Sequence, residues 1–356
     1  MKISNTIRRT GKRTIVRTRS YFNHRIYRYQ AKTTFDNITL HKPRVSSSVL
    51  RQCDEYAREV LGSKKHAPWL KAYTQFCGEF REGWIPNSYY SDYIVQQLKG
   101  EYGKLSNSKA VSRRLLGNTP LIPDLASSVN GLFHTSDGEP IVRAALADYL
   151  FAQCDKIVFK IDDSRQGRGV FVYDRSNFPA NRTQFSNGVF QSFIQQHEFF
   201  NQFSSNGVAT IRLITVVDDG GVASCRSALV RIPRQADSHV KTASAIKVAI
   251  DMDSGTLFDS ALMSNMSPLS HHPDSNHAFT AQTIPGFHKC MEACTALQAK
   301  MPFARTIGWD LAIGTDENPV IMEWNGVDHD LFFSEVMQGP CFADLGWEKL
   351  WREGKK

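Results

Sequence analysis

The sequence predicts an α+β protein built mainly from antiparallel sheets and preceded by a mostly helical N-terminal region. Three observations predict it. Helical patterning dominates the chain as far as residue 117. Short β-rich runs separated by turn signals follow. The two kinds of element do not alternate as strand–helix–strand units, which excludes regular parallel winding.

The elements follow in order. Residues 46–62 (SSSVLRQCDEYAREVLG) read as a helix that Ser46 to Ser48 can cap and Gly62 can end. Residues 68–80 read as a second helix, weakened by Gly78. Pro86 and Asn87 mark a turn, and residues 88–99 resume a helix that stops at Gly100. Residues 107–116 form a short helix closed by Gly117. Strands at 130–135 and 141–144 flank SDGEP, where Asp-Gly tolerates positive φ. A helix at about 143–153 leads to strands 156–162 and 168–173 around a glycine loop. Further strands are expected at 187–195, 208–217, 222–231 and 244–251. Residues 264–283 lack periodicity and are expected to be a polar surface loop, with His271, His272 and His277 exposed to solvent. A helix at 286–300, a hairpin of 307–314 with 319–324, and short helices near 341–352 complete the chain. The expected domains are a basic arm (1–35), a helical region (36–117), one lobe with the glycine loop (118–195), a second lobe with an acidic cluster (196–340) and a C-terminal tail (341–356).

At 356 residues and 41% hydrophobic, the chain can bury a substantial core. No window reaches 18 consecutive apolar residues, so a transmembrane helix is not expected, and MKISNTIRRTGKRT does not read as a secretory signal. The seven cysteines include no CxxC and read as reduced thiols of a cytoplasmic protein. Cys290 and Cys294 could share a helix face but make a poor zinc site. The net charge of +8 belongs to the N-terminus. Residues 1–32 hold ten Lys and Arg with no acid before Asp36, which leaves 33 basic against 35 acidic side chains in the rest. Three readings of this arm stand: a solvated tail, a surface attracted to anionic lipid headgroups, or a nucleic-acid contact. The body carries no basic stripe, so a dedicated nucleic-acid enzyme is not expected.

Two motifs carry chemistry. In IVFKIDDSRQGRGVFV, Lys160 ends an apolar strand and enters a loop whose Gly167 and Gly169 let backbone N–H groups approach an anion. The loop can equally be a plain hairpin tip, and it is neither a P-loop nor a dinucleotide fingerprint. In GWDLAIGTDENPVIMEWN, Glu323 and Asn325 share one side of a strand. If the strand bearing Asp310 pairs with it, two carboxylates and an amide oxygen converge, a set that suits Mg²⁺. The alternative is an exposed hairpin edge with ordinary acids. Arg212 interrupts the apolar strand VATIRLITV and Arg231 ends SALV. As a pair they could hold a phosphate or carboxylate, or each could serve a structural ion pair with Glu198, Asp218 or Asp251. His197 reads as a core or hinge residue or a substrate contact.

Taken in order, REGWIPNSYYSDYI, LSNSKAVSRRLLG, KIVFKIDDSRQGRGV, FQSFIQQHE, VATIRLITVV, GWDLAIG and NPVIMEWN resemble the ATP-grasp superfamily, and its sugar-transfer-associated branch in particular. The resemblance covers about residues 80–330 and is most specific at the final E-x-N. It implies the ATP-grasp fold, two α+β lobes enclosing ATP. Lys109 and Lys160 would contact the phosphates, with Ser164, Gln166, Gly167 and Gly169 in the covering loop. Gln191, Ser192, Phe193 and Ile194 would form the hinge beside adenine. Gln191 stands where many relatives carry an acid. Asp310, Glu323 and Asn325 would hold magnesium, with two ions expected, and Arg212 would face the transferred phosphate. After Arg231 the chain departs from its relatives, reading ADSHVKTASAIKV.

The implied chemistry is ligation through an acyl phosphate, with a small-molecule carboxylate and an amine, possibly sugar-linked, as substrates in cell-surface polysaccharide synthesis. A kinase acting on a hydroxyl and a non-catalytic nucleotide-binding scaffold are the alternatives. The expected place is the cytoplasm, at the inner face of the membrane if residues 1–32 touch it.

Overall fold

The structure, a computed structural model, describes residues 24–162, 164, 169–179, 185–237 and 244–353. The chain divides into two compact units. The first comprises residues up to Ile94, Asn265–Ser267 and Asp330 onward; the second comprises Val95–Ser264 and Pro268–His329.

The first unit is helical. Ser46 caps the helix Ser47–Glu59 by accepting from the Val49 N–H, which satisfies one of the donors a helix start leaves open. The helix Ala67–Cys77 ends at Gly78, whose left-handed φ of 82° supplies the stop. Its Trp69 and Tyr73 rings pack on Phe332 of the helix Phe332–Gln338, and Tyr73 also meets Trp84 edge-on. Glu335 of that helix is fully buried. Its carboxyl oxygens accept from the Ile85 and Cys341 N–H groups at 3.0 and 3.1 Å.

The second unit holds two antiparallel sheets. Its strands are β1 Asp124–Val129, β2 Leu132–Thr135, β3 Pro140–Ile141, β4 Lys156–Ile161, β5 Val170–Asp174, β6 Gly188–Ser192, β7 Thr210–Val217, β8 Ala223–Ile232, β9 Ile246–Ile250, β10 Leu257–Leu262, β11 Pro268–Leu269, β12 Thr306–Ile313 and β13 Pro319–Asn325. The order is β3-β2-β1-β6-β4-β5 in one sheet and β11-β10-β9-β8-β7-β12-β13 in the other. The α+β class expected from the sequence is the class observed.

The larger sheet explains its own sequence. Strands β7 and β12 are buried along their whole length, so they read as near-continuous apolar runs. One face carries Ile211, Leu213, Val230, Val248, Trp309 and Leu311 into a core shared with the helix Phe287–Ala299. Cys290 and Cys294 lie in that core, and all seven cysteines are free thiols. The smaller sheet packs Phe133, Phe159, Phe185 and Phe190 beneath the helix Leu146–Phe151.

Two expectations need correction. The stretch 264–283 is not a plain surface loop: it contains β11, and Phe279 and His272 are fully buried. His272 holds the Pro233 carbonyl at 3.2 Å and His277 is half-buried with its ring against Phe203, so solvent exposure is wrong for both, although His271 is exposed. Strands β1 and β10 escape sequence reading because DLASSV and LFDSAL show little apolar alternation. Among the described residues no helix is long and apolar enough to cross a membrane.

Candidate active site

Register assembles the site. Arg212 lies directly opposite Asp310 across β7 and β12, and Asp310 lies opposite Glu323 across β12 and β13. Directly opposed residues in antiparallel strands share a face. Three charged side chains therefore form a row across three neighbouring strands, on the face away from the apolar core. Asn325, two residues beyond Glu323, joins them and pairs opposite Gly308. Arg231 pairs opposite Thr210 and extends the same face.

Arg212 is clamped. Its Nε and terminal nitrogen donate to the two oxygens of Asp310 at 2.6 and 2.8 Å, and its other terminal nitrogen donates to the His329 carbonyl at 2.8 Å. Arg231 approaches Asp310 at 3.4 Å, and Asn325 Nδ2 donates to Asp310 at 3.2 Å. The arginine's carboxylate partner is Asp310, not Glu198, Asp218 or Asp251. Gly308 makes room for this arrangement. A Cβ there would lie 2.5 Å from His329 Cβ and 3.3 Å from Arg212 Cδ.

The two carboxylates titrate in opposite directions. Burial would raise Asp310, but the Arg212 and Arg231 guanidiniums hold it well below the usual carboxylate range. Glu323 is raised, first by burial and then by the Asp310 charge, with Lys160 opposing. Two acids sharing one site behave this way.

Lys160 enters from β4 of the smaller sheet. Its Nζ donates to the carbonyl of Met322, the neighbour of Glu323, at 3.2 Å. The side chain is only 7% exposed, and burial lowers its pKa while Glu323 and Asp124 pull the other way. Lys109 opens the helix Lys109–Leu115, which has no local side-chain cap. Asp162, at the start of the glycine loop, accepts from the Lys109 N–H at 2.7 Å and supplies that cap from 53 positions away.

A cleft with about 330 Å³ of empty space, part of it open to solvent, is lined by residues that include Lys109, Asp124, Gln191, Met322, Glu323 and Trp324. Sequence reasoning missed Asp124, which sits in a short proline-flanked run with no motif around it. Trp324 lies inside the quoted E-x-N motif and donates to the Ser112 hydroxyl at 3.0 Å.

The other expected residues divide. The Ser164 hydroxyl donates to the Ile161 carbonyl at 2.6 Å, and Gly169 closes against Ser164. Gln166 and Gly167 lie outside the described residues, as do Ser238 and His239 of the divergent stretch. Gln191 is buried and bonded to Asp124. The Ser192 and Phe193 N–H groups donate to the Pro123 and Lys156 carbonyls, and both are therefore occupied by the sheet. Ile194, just past β6, is half-buried. His197 accepts from the Phe199 N–H and caps a short helical turn, a structural role.

The donor set suits magnesium. Asp310, Glu323 and Asn325 offer hard oxygens on one face, and the raised Glu323 pKa marks a carboxylate that a cation would help to ionise. Asp310 would share its oxygens with Arg212, which a carboxylate's spare lone pairs permit.

The model of the sugar-transfer associated ATP-grasp family matches residues 147–345, more than half of the chain. The chain belongs to the sugar-transfer associated ATP-grasp family. No curated protein matches it in sequence. Solved structures similar to this ATP-grasp chain include the ATP-grasp ligase PsnB complexed with minimal precursor, Mg and ADP, at 14% identity and a TM-score of 0.40 over 71% of this chain and 62% of that one. Biotin carboxylase from Campylobacter jejuni is 9% identical with a TM-score of 0.43, covering 69% of this chain and 47% of that one. An ADP complex of N5-carboxyaminoimidazole ribonucleotide synthetase is 8% identical with a TM-score of 0.40, covering 63% and 45%. The chain spans less than two thirds of the length of each.

Proposed function

We propose that this ATP-grasp chain is an ATP- and magnesium-dependent ligase that joins a carboxylate to an amine, acting on a sugar or amino acid in cell-surface polysaccharide synthesis. The observation that carries the reading is the approach of Lys160 to the strand bearing Glu323, where its Nζ donates to the Met322 carbonyl beside the Glu323–Asp310–Arg212 row. Family membership supports ligase chemistry, and the family's description supports a sugar-linked substrate.

In this reading residues 118–195 and 196–340 are the two lobes around the nucleotide. Lys109 and Lys160 attract the triphosphate as point charges. Ser164, Gln166, Gly167 and Gly169 belong to the loop that covers it, and Gln191 through Ile194 border the base. Asp310, Glu323 and Asn325 hold magnesium, which when bound neutralises charge on the terminal phosphates.

A substrate carboxylate oxygen attacks the γ-phosphorus, the bond to the ADP oxygen breaks, and an acyl phosphate forms. Arg212, kept in its forked orientation by Asp310, steadies the transferred phosphoryl group, and Arg231 extends the cationic surface toward the acid. The amine nitrogen then attacks the acyl carbon, phosphate leaves, and the amine proton passes to solvent. No protein nucleophile is required. Excluding water protects the acyl phosphate from hydrolysis.

The direct test is an ADP-release screen with Mg²⁺ and pairs of uronic acids and amino acids. Free phosphate released in step with ADP, together with an amide product, supports the ligase. A stable phosphorylated product would replace it with a kinase. Residues 1–32 are proposed to make transient contact with anionic membrane; residues 1–23 lie outside the described residues.

A further inference from the structure

We propose that His329 is a positioning residue for Arg212: its imidazole, anchored on Thr306, fixes the backbone carbonyl that gives the guanidinium its third contact, and so sets how firmly the terminal phosphoryl group is held. The proposal rests on the reading above that Arg212 faces the transferred phosphate. His329 acts through Arg212 and touches no substrate.

Geometry calls for a third contact. The fork between Arg212 and Asp310 uses Nε and one terminal nitrogen, at 2.6 and 2.8 Å. It fixes the guanidinium relative to the carboxylate, but the torsion that turns a carboxylate is broad. The other terminal nitrogen donates to the His329 carbonyl at 2.8 Å and ties the pair to backbone. That carbonyl belongs to the stretch 326–329 after β13, which is neither strand nor helix. No ladder of a sheet holds it.

Side chains hold it instead. The His329 Nε2 and the Thr306 hydroxyl share a hydrogen bond of 3.0 Å, and both residues are buried. Thr306, Gly308 and Asp310 alternate along β12 and so share one face. The His329 ring therefore meets the strand face that presents Asp310, in the room that Gly308 leaves beside its Cβ. Two positions earlier, the Nζ of buried Lys99 donates to the Val327 carbonyl at 3.1 Å. Gly326 lies so near Gly103 that a Cβ on it would come 2.6 Å from the Gly103 carbonyl oxygen. His329 thus links β12, through its ring, to the arginine of β7, through its carbonyl.

A histidine that only filled the core would, when replaced, lower stability and leave the choice between nucleotides unchanged. Calorimetry on the full chain with Mg²⁺ compares ADP with AMPPNP, which adds the terminal phosphoryl group. The wild-type chain is expected to bind AMPPNP about tenfold or more tightly than ADP, the scale of hydrogen bonds to a charged group. Thr306→Val removes the ring's anchor and should cut that preference by about threefold or more while sparing ADP affinity. His329→Leu should do the same, and His329→Gln, with an amide where Nε2 stood, should restore the preference. Thr306→Val carries the test if His329→Leu does not fold. In an Arg212→Ala background Thr306→Val should change the preference no further, because the two act as one unit. A wild-type-like preference in folded Thr306→Val, an equal loss in the Arg212→Ala background, or equal binding of the two nucleotides by the wild type overturns the proposal while nucleotide binding stands. Failure of the wild type to bind either one overturns the nucleotide reading with it.

Discussion

Arg212 donates two hydrogen bonds to Asp310 and a third to the His329 carbonyl, a planar fork that a lysine cannot reproduce. Arg212→Lys should keep the charge and lose the orientation. ADP release is expected to fall by about 100-fold or more, the usual loss when one preorganised donor to a developing charge is removed. Glu323 makes a different prediction. Its pKa is raised by burial and by Asp310, so its charge is a burden on the empty site. Glu323→Gln should abolish ADP release while leaving the thermal midpoint unchanged or higher; a parallel loss of both would assign Glu323 a structural role. Glu323, Asn325 and Asp310 are legible in the sequence because a hairpin turn, DENP, sets their spacing. The Arg212–Asp310 pairing is not, because a sequence does not state which strands become neighbours.

At the scale of elements, the β7–β12–β13 ladder positions the site, and Gly308 is its narrowest point. Gly308→Ala would press a Cβ against His329 and Arg212. Overpacking of this kind costs about 1–3 kcal/mol, read as a lower urea midpoint, and activity should fall beyond that loss because Arg212 is displaced. The helix Phe332–Gln338 carries its own test. Burial raises the Glu335 pKa well above 4.5. The acid keeps its proton to higher pH in the fold than in the unfolded chain, so its contribution is complete below the ordinary glutamate value and is lost as pH rises through the folded value. The wild-type urea midpoint should therefore decline on that rise, and Glu335→Gln should flatten the decline. The same variant should be less stable at low pH by about 1–3 kcal/mol, because one backbone N–H loses its acceptor. Long, strongly patterned elements such as 46–62 and 208–217 are readable in the sequence. Strand β1 is not, since its Ala and Ser side chains give no period and its place comes from β6 beside it.

For the whole molecule, charge is distributed unevenly. Ten basic residues precede Asp36, and the remainder is close to neutral. Deleting residues 1–32 should abolish cosedimentation with anionic vesicles while sparing ATP binding, and added salt should weaken the intact chain's binding. Unchanged sedimentation of the truncated chain would remove the membrane proposal.

The Arg212–Asp310 clamp has one further consequence. With guanidinium and carboxylate already satisfying each other, the ligand-free site carries little uncompensated negative potential at Asp310. A divalent ion offered alone must compete with a resident cation for the same oxygens, whereas a triphosphate arriving with it gives the arginine a new anion to face. Calorimetric titration with Mg²⁺ should accordingly register little heat until nucleotide is added, so that the ion and the nucleotide are taken up as one.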